Sequence, residues 1–252
     1  MTILKNYKNE KKFYIYGIHS VKEALKNQKR KKIFLHVSTN AYEKLIEEIK
    51  NCDVKFEVVN VQKLNYILKK DITHQGAILE TLPIKNDIEF EKICHPDTKD
   101  TVILMLDQLY DPQNVGAILR TAEFFGAKAV ITTKNHSSKE TSALAKSASG
   151  ALEHQPFLKV INLKNTMKIL KKMGYFIIGL DSNSDLILEE TLKIIGKEPL
   201  VLVLGSEGKG LRDLTKKNCD FLSKIPFKNN MCSLNVSSAA AISLYLARNK
   251  SI

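Results

Sequence analysis

The sequence predicts an α/β protein built as two successive units. Two patterns lead there. Short apolar runs of strand length alternate with stretches of helical periodicity from residue 13 onward. A hydrophilic stretch at residues 84–100 interrupts that alternation. The length of 252 residues suits one large or two small domains, and 44% hydrophobic residues is a globular content.

Taken in order, residues 1–12 read as a basic arm and 13–83 as a small α/β unit. FYIYGIHSVKEAL begins as a strand or turn and runs into a helix, with Ser20 as N-cap and Glu23 completing a capping box. KKIFLHVS is a short strand, and AYEKLIEEIKNC an amphipathic helix with Leu45, Ile46 and Ile49 on one side. VKFEVVN and QGAILETLP are strands, with VQKLNYILK helical between them. Residues 84–100 are a linker holding one helical turn at most, and 101–252 form the second unit. Its buried strands are 102–106, 129–132, 175–180 and 200–204, and its helices VGAILRTAEFFG, SALAKSASGAL, KNTMKILKKMG and SSAAAISLYLARNK. Gly126 and Gly174 stand where helices end in a left-handed residue.

Composition narrows the function. No apolar run approaches the roughly 18–20 residues that cross a bilayer, and the N-terminus lacks the apolar core of a secretory signal. The expected setting is therefore cytoplasmic, without membrane contact. The four cysteines are widely spaced with no C-x-x-C, so neither a zinc site nor a disulfide framework is expected. The net charge of +12 favours a polyanionic partner such as RNA, although lysine-rich solubility gives the same balance. Arginine is scarce, at 30, 120, 212 and 248 only. Each is worth inspection, because only arginine offers a planar bidentate fork.

Three clusters hold the candidate chemistry. In LDQLYDPQNVGAILRTAEFFGA a buried strand ends at Asp107, and a polar loop leads into a helix on which Gly116, Arg120 and Glu123 share a face. Read locally, Asp111 and Asn114 cap that helix while Arg120 and Glu123 pair on its surface. In PLVLVLGSEGKGL an apolar strand stops at Gly205, with further glycines at 208 and 210 and Glu207 inside the turn. This is neither the dinucleotide fingerprint nor a P-loop, and a tight structural turn explains it equally well. In KIPFKNNMCSLNVSSAAAISLYLA, Ser233, Asn235, Ser237 and Ser238 gather at a helix start, where they either cap it or bind a ligand. The six histidines lack metal spacing, and neither G-x-S-x-G nor H-E-x-x-H occurs.

In this order, the three clusters resemble the SpoU (TrmH) family of RNA ribose 2′-O-methyltransferases, within the SPOUT superfamily. The matching residues are Asn114-Val115-Gly116 with Arg120 and Glu123; Leu204 to Gly210; and Ile225-Pro226-Phe227 followed by Ser233-Leu234-Asn235-Val236-Ser237. The resemblance covers 101–247. YGIHSVKEAL and THQGAI are similar to the L30e-like substrate-binding domain of the ribosomal RNA guanosine branch. One departure is the third-cluster loop, where the family's glycine is absent and Asn229 stands as its substitute.

The resemblance implies a parallel-sheet domain with a C-terminal trefoil knot, working as a homodimer on ribosomal RNA. It implies S-adenosylmethionine held by the backbone of Gly205, Ile225 and Leu234, with Ser206 and Ser233 lining the pocket. Arg120 is the implied essential residue, as general base or as phosphate clamp, with Asn114, Glu207, Ser233 and Asn235 orienting it and the ribose. A tRNA 2′-O-methyltransferase, a drug-resistance methyltransferase and a non-catalytic ribosome-assembly factor on the same scaffold are the alternatives.

Overall fold

A computed structural model describes residues 11–69, 72–84, 89–228 and 234–249. They form two compact units: one of the described residues up to 85 together with Glu140–His154, the other of those in 86–139 and 155–252. The segment 140–154, expected with the C-terminal domain, thus clusters with the N-terminal unit. Residues 1–10 of the basic arm and 85–88 of the linker lie outside the described residues.

The first unit opens with β1 (Phe13–Tyr16), α1 (Ile18–Lys26), β2 (Lys32–Val37) and α2 (Thr39–Lys50). It continues with β3 (Phe56–Val58), α3 (Val61–Leu68) and β4 (Ala77–Thr81). The sheet order is β1-β4-β2-β3, with β2 and β3 parallel and the pairings of β4 antiparallel. Ile15, Val21, Leu25, Leu35, Leu45 and Leu79 are fully buried between sheet and helices.

The capping box expected at Ser20 does not form. The chain turns at Gly17 with φ +93, so α1 begins two residues before Ser20. The Gln75 side-chain carbonyl accepts the Ile18 N–H at 3.1 Å instead. Ser20 becomes a buried helix residue, and Glu23 accepts from Lys26 and pairs with His154. A local signal was overridden by a glycine that could start the helix earlier.

Within this unit Arg30 is buried among carboxylates. Its Nε and Nη2 donate to both oxygens of Glu153, with Nη2 at 2.6 Å from Oε1, and its Nη1 donates to Glu140 at 3.1 Å and to the Leu82 carbonyl at 2.9 Å. Both acids come from the 140–154 segment. That segment also carries a short helix, Ser142–Ala148, and a 3-10 turn, Ala151–Glu153.

The second unit begins with α4 (Phe90–Cys94), β5 (Val102–Asp107), α5 (Pro112–Phe124) and β6 (Ala129–Thr133). With Ser142–Ala148 taken as α6, there follow β7 (Phe157–Val160), α7 (Leu163–Lys172), β8 (Phe176–Leu180), α8 (Leu188–Ile195) and β9 (Leu200–Gly205). The unit ends with α9 (Asp213–Lys216), β10 (Phe221–Ser223) and α10 (Val236–Asn249). All pairings are parallel, in the order β10-β8-β9-β5-β6-β7. The central strands β5 and β9 are apolar up to their last residues, Asp107 and Gly205, because helices cover both faces.

The expected strands are present as β5, β6, β8 and β9, and Gly126 and Gly174 adopt positive φ at helix ends. The short edge strands β7 and β10 and the helices α8 and α9 were not anticipated. Residues 90–94 are more than a linker: Cys94 is buried in this unit's core, and its carbonyl accepts the Tyr175 hydroxyl at 2.8 Å.

Helices α5 and α10 run parallel, pinned at both ends. At their starts the Asn235 side-chain amide donates to Asn114 Oδ1 at 3.1 Å. At their ends Arg248 donates from Nε to the Phe125 carbonyl at 2.6 Å and from Nη2 to that of Gly126. A cation on the last carbonyls of a helix satisfies acceptors that have no partner within it.

Candidate active site

The site is built where β5 and β9 end. Asp111 caps α5, accepting the N–H groups of Gln113 and Asn114 at 3.0 and 3.3 Å. Pro112 fills the first helical position, where a missing N–H costs nothing. Asn114 therefore sits in the first turn with its side chain free for other work. The expectation that it caps the helix is corrected: Asp111 alone does so.

After β9 the chain makes a tight hairpin. Ser206 and Gly210 exchange backbone hydrogen bonds at 3.2 and 2.9 Å, with Gly208 and Gly210 at positive φ. A Cβ on Gly205 would overlap the Gly210 carbonyl carbon and the Leu211 nitrogen, so only glycine permits this return.

Glu207, carried by the hairpin, joins the other two clusters. Its Oε1 accepts from Asn114 Nδ2 at 2.5 Å and from Asn235 Nδ2 at 3.3 Å. Asn235 in turn caps α10: its Oδ1 accepts the Ser237 N–H at 2.9 Å and the Ser237 hydroxyl at 2.5 Å. One carboxylate thus binds two amides from residues 93 and 28 positions away. Capping explains the inward face of Asn235 and not the other.

Arg120 is not part of that cluster. It is exposed on α5, and it forms no hydrogen bond or ion pair among the described residues; the expected surface pair with Glu123 is absent. The contrast with the other arginines is sharp. Arg30 holds two carboxylates, Arg212 a third, and Arg248 a helix end. Among the described residues, Arg120 alone of the four arginines has no partner.

Of the remaining expected residues, Gly205, Ser206 and Ile225 are half-buried at the ends of β9 and β10, and Leu234 is exposed. Ser233 and Asn229 lie outside the described residues. Sequence reasoning missed the partnership of Asp107 with Arg212, although the strand-ending aspartate and the rarity of arginine were both visible. Burial pushes the Cys94 and Cys219 thiols up to about 12, which removes them as nucleophiles. No group of three metal-ligating side chains occurs among the described residues.

The SpoU rRNA methylase family model matches residues 101–245, more than half of the sequence. The chain belongs to the SpoU family. A second model, for RNA 2′-O ribose methyltransferase substrate binding, matches 14–86, ahead of the SpoU part. Among relatives, a 23S rRNA (guanosine-2′-O-)-methyltransferase, RlmB, of Coxiella burnetii is 36% identical over 237 residues, covering 92% of this chain and 93% of its own. The fold matches SpoU structures. The AdoMet-bound rRNA methyltransferase of Sinorhizobium meliloti has a TM-score of 0.80 at 21% identity, covering 96% of this chain and 88% of its own. The SpoU methyltransferase AviRb of Streptomyces viridochromogenes, also with AdoMet, has a TM-score of 0.79 at 20% identity, covering 95% and 90%.

Proposed function

We propose that this chain transfers a methyl group from S-adenosylmethionine to the 2′-hydroxyl of a guanosine ribose in 23S ribosomal RNA. The observation that carries this reading is the convergence of Asn114, Glu207 and Asn235 at the strand ends, together with an exposed Arg120 that has no partner among the described residues. The relatives' activity directs it to ribosomal rather than transfer RNA.

The residues present fit the donor. Ile225 is half-buried, and Phe227 and Leu234 are 55% and 51% exposed after β10, apolar surface suited to a purine and a thioether chain. Glu207 supplies negative charge near a cationic group. S-adenosylmethionine, when bound, supplies an electrophilic methyl group on a sulfonium. Arg120 is a permanent cation, so it acts by charge and geometry: it clamps a substrate phosphate and favours loss of the hydroxyl proton to solvent as the oxygen takes the methyl group. Asn114 and Asn235 hold Glu207 in register and, with Ser233 as the resemblance implies, orient the ribose.

Further parts of this reading concern assembly. A trefoil knot in 101–252 and an L30e-like fold for 13–83 accord with the SpoU resemblance. The homodimer is supported by α5, where Phe124 lies one turn beyond Arg120 and is 83% exposed, and by Tyr245 of α10, 56% exposed. A second copy covering Phe124 also reaches the Arg120 face, so each Arg120 works at the boundary between copies. Phe124→Asp is expected to convert the dimer to monomer in size-exclusion chromatography with light scattering; an unshifted mass counts against this face. No described helix is long and apolar enough to cross a membrane; a cytoplasmic setting is part of the proposed reading.

RNA binding is expected to weaken at least roughly tenfold between about 50 and 200 mM salt, because phosphate contacts release counterions. A filter-binding titration with equal affinity at both salts would reject that picture. The function itself is tested by mass-spectrometric mapping of ribose methylation after incubating purified protein and donor with unmodified 23S rRNA and tRNA. One new 2′-O-methylguanosine in 23S rRNA is expected; methylation confined to tRNA overturns the substrate, and none in either overturns the reaction.

A further inference from the structure

We infer that Asp107 and Arg212 form a positioning pair that sets the conformation of the Gly205–Leu211 hairpin, and through it the grip on the methyl donor. The link to the donor rests on the reading above; the link to the hairpin stands on geometry alone.

Asp107 ends β5 and is the register partner of Gly205 at the end of β9. Its carboxylate is wholly buried. It does not bond along the sheet edge. It reaches past Gly205 to the hairpin's return limb, where Oδ2 accepts the Arg212 backbone N–H at 3.1 Å. Its Oδ1 accepts Arg212 Nε at 2.8 Å and lies 2.8 Å from Nη2. One buried anion therefore fixes both the backbone and the side chain of the residue that closes the hairpin.

Besides the Ser206–Gly210 backbone bonds, the return limb is anchored by Leu211. Leu211 is buried in the core of this unit, against Gly179, where a Cβ would overlap the Leu211 and Leu222 side chains. Leu211 fixes depth, since apolar packing is non-directional. The fork on Asp107 fixes rotation, since bidentate hydrogen bonds are directional. Rotation matters here: Gly205 backbone lies against Gly210 and Leu211, and the tip two residues away carries Glu207 to Asn114. Arg212 touches none of Asn114, Glu207 and Asn235 in the contacts described.

The test compares wild type with Arg212→Lys and Arg212→Ala by two measurements. The first is hydrogen exchange of the ligand-free protein, read on peptides spanning 204–212. Both variants should lose protection there while the β5 and β9 strands keep theirs. The second is calorimetric affinity for S-adenosylhomocysteine, expected to fall roughly tenfold, with turnover at saturating donor within about threefold of wild type, because a supporting contact is lost rather than a reacting group. Arg212→Lys keeps the buried Asp107 compensated, so the test stands even where the alanine variant does not fold. Native exchange in the hairpin of Arg212→Lys overturns the positioning role. Altered exchange with native product affinity overturns the link to the donor, as does lost turnover at unchanged affinity. Wild type that fails to bind the product overturns the donor reading and leaves the exchange result to decide the hairpin.

Discussion

Arg120→Ala is expected to lower methylation turnover by about 10³-fold, the loss typical of removing one preorganised group that stabilises developing charge. Two controls follow from its surroundings. The side chain has no partner among the described residues, so thermal stability should stay within about 0.5 kcal/mol of wild type, as for a free surface position. Affinity for S-adenosylhomocysteine should also be unchanged within about threefold, since the expected donor contacts lie on the hairpin and after β10 rather than on α5. Arg120→Lys then separates charge from shape. A lysine recovering most of the rate would mean charge suffices; a lysine as poor as alanine would mean the fork is required. Single-turnover kinetics with 23S rRNA fragments checks the rates of both variants, and calorimetry checks their melting and product affinity. Near-native rates in Arg120→Ala would remove this residue from the reaction.

The largest loss of stability is expected from Arg30→Ala. Arg30 is buried, and its side chain answers two carboxylates that are themselves 2% and 7% exposed. Truncation takes the guanidinium away from both acids in a poorly solvated place, a change that typically destabilises by about 3–5 kcal/mol. For a chain of this size each kcal/mol lowers the melting temperature by about 2–4 °C, so a drop of roughly 6–20 °C is expected by calorimetry. Arg30→Met combined with Glu153→Leu should recover part of it, because removing Arg30 together with one of its two acids lifts that acid's desolvation penalty along with the attraction. A single variant melting within about 1 °C of wild type would mean that water reaches these acids after all.

The central strands were legible because a parallel sheet covered on both faces writes itself as unbroken apolar runs, as in Val201–Leu204. The edge strands were not. Phe221–Ser223 is three residues long and half-buried, too short to impose a period. Ser20 misled because capping signals are local, while the residue that decided the helix start, Gly17, acts through a left-handed turn and a side chain from Gln75. At the site, three weak motifs became specific only through their order. Their meeting on Glu207 follows from sheet topology, which local patterns do not encode. Asp107 and Arg212 are 105 positions apart, and nothing in either neighbourhood names the other.

The buried guanidinium of the first unit bears on how this chain is made. Arg30 emerges from the ribosome long before Glu140 and Glu153, and the helix between those acids is equally late. During translation the early portion is expected to stay incomplete, its buried cation lacking both acids, until residue 154 has been made. Vectorial, piece-by-piece maturation, usual for chains with contiguous domains, should therefore be delayed in this one. An arrested nascent chain ending before residue 140 should remain protease-sensitive throughout its exposed length, and one extended beyond residue 154 should acquire resistance.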